Sequence, residues 1–201
     1  MRLLATFVVL VLMPGSTIAQ DRGYVHGAGG VTFMSEVAGV FGGEAGFRMR
    51  RNLIVFGQAG RMLNVLPQDI QEDIDSAAGV LESFTGRPWQ FEAAIKATYA
   101  GAGVRYLLPF GSRSRPYVAG SVGIVSYAGS LRERELGDVL DQAVSLGVVE
   151  SDEVKGNEVA YEVGGGLLVT GGRLQFDAGY RLMNVRGVNV SRLVAGAGVR
   201  F

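Results

Sequence analysis

In the stretch GRLQFDAGYRLM, Leu174, Phe176, Ala178, Tyr180 and Leu182 alternate with Arg173, Gln175, Asp177, Gly179 and Arg181. Successive side chains of an extended strand point to opposite faces. A strand here is therefore greasy on one side and charged or small on the other. The pattern recurs. Phe41, Ala45, Phe47 and Met49 oppose Gly42, Glu44, Gly46, Arg48 and Arg50. Val159, Tyr161, Val163, Leu167 and Val169 oppose Ala160, Glu162, Gly164, Gly166 and Leu168. Leu193, Ala195, Ala197 and Val199 oppose Arg192, Val194, Gly196, Gly198 and Arg200. Such period-two patterning predicts strands rather than helices.

Extending this reading gives eight strands, at about 23–34, 39–50, 53–65, 91–107, 116–129, 158–170, 173–184 and 189–201. Their connections alternate in length. Those at 51–52, 108–115 and 171–172 are tight or short, whereas 66–90 and 130–157 are long, and all the short ones fall at one end of the sheet. That asymmetry matches a transmembrane barrel with short periplasmic turns and longer extracellular loops. Each strand has the ~9–11 residues a tilted strand needs to cross a bilayer. Lipid offers no partner to backbone N–H and C=O groups, so a spanning sheet has to close on itself. A soluble barrel would place its apolar residues inside; here the charged face would line the lumen.

Composition fits this geometry. Glycine numbers 31 of 201 residues, about twice the usual share of about 7%, and spacings such as Gly101/Gly103, Gly164/Gly166 and Gly196/Gly198 leave room in a crowded interior. Lys+Arg and Asp+Glu both number 19, so no overall basic field draws the chain to nucleic acid. The absence of cysteine excludes disulfides and thiolate metal sites. Arg2, the apolar run Leu3 to Met13, the Pro14-Gly15 break and the small residues Thr17 and Ala19 predict a cleaved secretory signal peptide over 1–19, with the barrel domain at 20–201.

With GRLQFDAGYRL, RPYVAGSVGIVSY and the terminal AGAGVRF in view, the chain resembles the small outer-membrane β-barrel proteins of Gram-negative bacteria. These are OmpA-like membrane domains, OmpX and OmpW-like porin-family barrels. The resemblance covers 23–201, without a following peptidoglycan-binding domain. It implies an eight-stranded antiparallel up-and-down barrel in the bacterial outer membrane, in contact with lipid and lipopolysaccharide. It also implies that Phe201 carries the end signal read by the barrel assembly machinery.

The inward face supplies the candidate residues. If Gly171-Gly172 forms a two-residue hairpin turn, Glu162 lies opposite Arg181; if Arg186-Gly187 turns the next hairpin, Arg181 lies opposite Arg192. Buried charges are tolerated when paired. Glu162 is therefore expected to bond an arginine, with Glu44, Arg48, Arg105 and Asp177 forming further pairs above or below. Eight strands enclose little more than the space their side chains fill, so a structural plug is expected, with a narrow solute conduit as the alternative. Gln58 and Arg61 have opposite parity, which a bulge or an early strand end would resolve. YVAGSVGIVSY is apolar on both parities and leaves its faces unassigned. Tyr24, Phe33, Tyr106, Tyr117, Tyr127, Tyr180 and Phe201 lie near strand ends and are expected to contribute to interfacial girdles.

Little in the sequence points to catalysis or a cofactor. A lipid A or phospholipid-modifying barrel needs a His and a Ser together with a carboxylate, and no serine is placed beside the single histidine, His26, which reads as a hydrogen-bonded lumen residue. GAGG at 27–30 lacks the remainder of a phosphate loop. In the two long loops, Ile70, Ile74, Ala77/Ala78 and Leu81, and again Leu136, Val139/Leu140, Ala143/Val144 and Leu146, recur at helical spacing. Each loop is expected to carry a short amphipathic helix folded over the barrel mouth or against the other. Asp69, Glu72, Asp73, Asp75 and Glu82 form a solvated acidic face there, or share divalent cations with lipopolysaccharide. The expected role is non-enzymatic, in envelope integrity or surface contact through loops whose partner the sequence does not specify.

Overall fold

A computed structural model describes residues 22–34, 37–66, 68–111, 113–133, 137–138, 140–145, 147 and 155–201; the expected signal peptide lies outside them. The elements run β1 (Gly23–Phe33), β2 (Val37–Arg50), β3 (Leu53–Met62), α1 (Gln68–Thr85), β4 (Phe91–Leu107), β5 (Ser114–Glu133), the short β6 (Gly137–Asp138), α2 (Leu140–Ser145), β7 (Lys155–Gly171), β8 (Leu174–Val185) and β9 (Val188–Arg200). Eight long strands pair with their chain neighbours, all antiparallel, and β9 returns to pair with β1. The sheet is a closed up-and-down barrel. Its seam is sealed by reciprocal backbone bonds, Gly23 N–H to Phe201 O and Phe201 N–H to Gly23 O, each 2.9 Å.

The tight hairpin turns at the two ends of the barrel follow from local chemistry. The β8–β9 hairpin turns at Arg186-Gly187 as expected, and both residues have positive φ, 50° and 88°, the pairing a type I′ turn requires. The β7–β8 hairpin differs from the expected turn. Gly171 pairs with Leu174 and the loop is Gly172-Arg173, with positive φ at Gly172 alone, which matches a type II′ turn with glycine first. Glu162 therefore faces Met183, and Arg181 faces Gly164. Downstream, Arg181 does face Arg192.

Polarity is inverted relative to a water-soluble barrel. Phe41, Phe47, Met49, Val118, Val122, Ile124, Val159, Tyr161, Val163, Phe176, Leu193 and Val199 are exposed on the outside, while Glu44, Arg105, Glu162, Asp177, Arg181 and Arg192 are buried within. This places Tyr117, Ser121 and Val125 of β5 inside and Val118, Val122 and Ile124 outside. In β3, Gln58 is buried and Arg61 exposed; the strand ends one residue later, so early termination rather than a bulge accommodates the arginine. The register shift in that hairpin lies instead between Arg48 and Arg50. Phe33, Tyr106, Tyr180 and Phe201 are outward, but the girdle expected of Tyr24, Tyr117 and Tyr127 is corrected: Tyr24 and Tyr117 are buried in the lumen, where their hydroxyls bond carboxylates, and Tyr127 shares the inward parity of Val125 and packs against the apolar lumen cluster.

Both described loop segments contain a helix. α1 ends at Gly86, whose positive φ of 64° caps the last turn with its N–H on the Glu82 carbonyl at 2.8 Å. Its apolar face packs on the barrel: Ile74 against Leu131, with Ile70, Phe91 and Ala93 around them. Asn64 ties the preceding segment to β4, its Oδ1 accepting from the N–H groups of Leu66 and Ile95. α2 is short; Leu136, Val139 and Leu146 of its expected apolar set lie outside the described residues.

Candidate functional site

Every long strand contributes to one layer of polar side chains midway along the lumen. Glu44 of β2 lies at its centre. Its carboxylate accepts from the Tyr24 hydroxyl of β1 at 2.5 Å, from Arg105 Nη2 of β4 at 2.8 Å to Oε1, and from Arg181 Nη2 of β8 at 3.3 Å. Arg105 also reaches Asp177 Oδ2 at 3.2 Å, whose other oxygen accepts from the Tyr117 hydroxyl of β5 at 2.8 Å. On the far side Glu162 of β7 accepts from Gln58 Nε2 of β3 at 3.0 Å and from Arg181 Nη1 at 3.4 Å, and it is ion-paired with Arg192 of β9. Gln58 closes the circuit: its Oε1 accepts from Arg181 at 2.7 Å and its Nε2 donates to Ser121.

The layer holds three carboxylates and three guanidiniums. Arg105 and Arg192 are each only 1% exposed, so their charge is viable only because it is matched at contact distance. Both also lie over aromatic rings, Arg105 at 4.4 Å from the Tyr117 centroid and Arg192 at 4.6 Å from that of Tyr99, which adds cation–π attraction in a desolvated setting. The glycines make room for these large groups. A Cβ on Gly166 or Gly179 would sit 2.8 or 2.7 Å from the Tyr117 hydroxyl oxygen, and one on Gly46 would enter the Tyr24 ring.

Six of the seven residues expected to line the lumen meet in this layer. The seventh, Arg48, occupies the inward register of β2 nearer the periplasmic end. Glu162 and Arg181 do meet, although they are diagonal rather than opposite; the length of arginine spans the offset. Tyr24, Gln58 and Tyr117 are members that charge pairing alone did not bring out. Their signal was shared parity with Glu44 and Asp177.

The layer is enclosed on both sides. Toward the extracellular end lie Val40, Met62, Leu66, Ile95, Val125, Met183, Val190 and Val194; toward the periplasm, Ile54, Phe56, Leu107 and Leu168. A cavity beside the network, bordered by His26, Arg181 and Arg192, has a volume of about 20 Å³, room for roughly one water molecule. His26 is a lumen residue, 3% exposed, but its Nε2 has no hydrogen-bond partner among the described residues, so the expected hydrogen bond is not seen at that nitrogen.

No family model matches the chain, and no curated protein matches it. Solved structures do. Neisserial surface protein A is similar at 16% identity and a TM-score of 0.56, over 89% of this chain and 97% of that one. This is the fold of the small eight-stranded outer-membrane barrels. The N-terminal β-barrel domain of Pseudomonas aeruginosa OprF is similar at 12% identity and TM-score 0.54, covering 90% of this chain and all (100%) of that one. Ail, the attachment invasion locus protein of Yersinia pestis, is similar at 12% identity and TM-score 0.52, over 90% and 97% of the two chains.

Proposed function

We propose that the chain is a non-enzymatic integral outer-membrane protein, exported by the leader at 1–19, with a sealed lumen and a role in envelope structure or surface contact through its extracellular loops. The apolar exterior and the outer-membrane setting of the similar barrels support the location. One observation carries the closed-lumen reading: the polar layer draws a side chain from every long strand and has apolar layers above and below it, with about 20 Å³ beside it. A conduit needs a continuous polar path, and these lids interrupt it.

The extracellular ends fit the surface role. β4 and β5 extend beyond β3 and carry α1 on their inner face, so the β3–β4 connection is a packed helix rather than a simple turn. Phe201, outward-facing and closing the seam against β1, is proposed as the residue read by the assembly machinery. Single-channel recording in planar bilayers tests the closed lumen. The expected result is a quiet membrane. Stable open steps whose size changes in Glu162→Gln would establish the narrow-conduit alternative instead.

A further inference from the structure

Above the apolar belt the outside of the barrel changes character over one sector. Arg61 near the end of β3, Lys96 of β4 and Lys155 at the start of β7 are all exposed. Each occupies the outward parity of its strand, alternating with buried neighbours such as Met62, Ile95 and Ala97. The register brings them together. Arg61 pairs with Thr98, two residues along the same face of β4 from Lys96, and Lys96 pairs with Ala128, which pairs on its other side with Lys155. Diagonal neighbours of this kind lie about 7–8 Å apart, and residues two strands apart in one row about 10 Å. Long basic side chains from these positions converge on a common patch. Thr98, Ser126 and Asn157 form the outward row beside it, with the Ser126 hydroxyl 2.6 Å from Asn157 Oδ1.

Two further facts define what this patch meets. On the same strands the outward residues toward the periplasm are apolar: Val55, Val104, Tyr106, Val118, Val122, Ile124, Val159, Tyr161 and Val163 are all exposed. The cations therefore sit at the upper edge of the hydrocarbon-facing belt, at headgroup height. Among the described residues none of the three is in an ion pair. The outward carboxylate on these strands, Glu92, lies opposite Arg132 and four residues beyond Lys96. The acidic helix α1 packs against Leu131 and Ala93, which belong to the opposite, inward parity.

We propose that Arg61, Lys96 and Lys155 form a binding site for the phosphate groups of an outer-leaflet lipid headgroup, with Thr98 supplying a hydroxyl donor. This rests on the membrane placement proposed above. Lipid acyl chains would lie along the apolar sector below, and the spacing of the cations suits a headgroup bearing more than one phosphate.

Native mass spectrometry of the folded barrel in a neutral maltoside detergent, titrated with diphosphorylated lipid A, tests it. Attraction of about fivefold per basic side chain predicts that combining Arg61→Gln, Lys96→Gln and Lys155→Gln weakens binding roughly a hundredfold. A control with Arg22→Gln, Arg51→Gln and Arg113→Gln, at the periplasmic end, keeps it. Dephosphorylated lipid A should bind parent and variant equally weakly, and inorganic phosphate should not displace the lipid. Undiminished binding by the triple variant, or equal binding of the dephosphorylated lipid to the parent, overturns the site. Displacement by inorganic phosphate alone would show a free-anion site and overturn the lipid assignment. Heat-dependent gel mobility verifies that each variant is folded. A chain that stays soluble without detergent would defeat the membrane placement itself, whereas an inserted barrel indifferent to phosphate defeats only this site.

Discussion

The middle and the extracellular end of the lumen are lined by residues of the same parity yet have opposite chemistry. In the middle, Glu44, Arg105, Glu162, Asp177, Arg181 and Arg192 bind one another across the barrel; toward the mouth, Val40, Met62, Ile95, Val125 and Val194 fill the same bore with hydrocarbon. The ionic layer is directional, since each carboxylate accepts from particular donors on particular strands, so it discriminates between registers. The apolar layer is indifferent to partner and excludes water, which strengthens the ionic bonds beneath it. Facing inward thus determines where a side chain goes and not what it has to be.

Substitutions separate the two layers. Glu162→Ala leaves Arg192 and part of Arg181 without their counter-charge, and removing one partner of a buried pair costs about 3–5 kcal/mol; urea unfolding in detergent should show a correspondingly lowered midpoint. A midpoint that stayed in place would mean that the layer is hydrated and the contrast with the mouth is false. Tyr117→Phe removes one hydrogen bond to a carboxylate, worth about 1.5–3 kcal/mol, and the same titration should place it between the other two variants. Ile95→Val in the apolar layer should cost about 0.5–1.5 kcal/mol, with no dependence on salt. Outside the lumen, Arg61→Gln should leave the unfolding midpoint unmoved, since surface changes away from packed or paired groups have small effects; a large loss would tie this residue to the fold rather than to lipid.

The same contrast explains what the sequence made legible. Strands with charges inside, such as β2, β7 and β8, announce their faces because the alternation is between hydrocarbon and ions. In β5 the inward set includes Tyr117 and Val125 and the outward set Val118, Val122 and Ile124, so both parities are apolar and the period-two signal vanishes. The sequence leaves Tyr24 and Tyr117 ambiguous for the same reason: an aromatic residue suits either an interface or a carboxylate partner, and only the cross-barrel geometry decides. The β7–β8 register was offset because adjacent glycines offer more than one place to turn. The meeting of Glu162 with Arg181 is insensitive to that choice of turn, since a long side chain reaches a diagonal neighbour as readily as a direct one.

The bonds between Gly23 and Phe201 join strands separated by nearly the whole chain. Until β9 is in place, β1 presents a bare edge that no neighbour in sequence is able to cover, and no partial set of strands brings all members of the central layer together. Closure is therefore close to all-or-none, and an incomplete barrel would have to be shielded by something else while it waits.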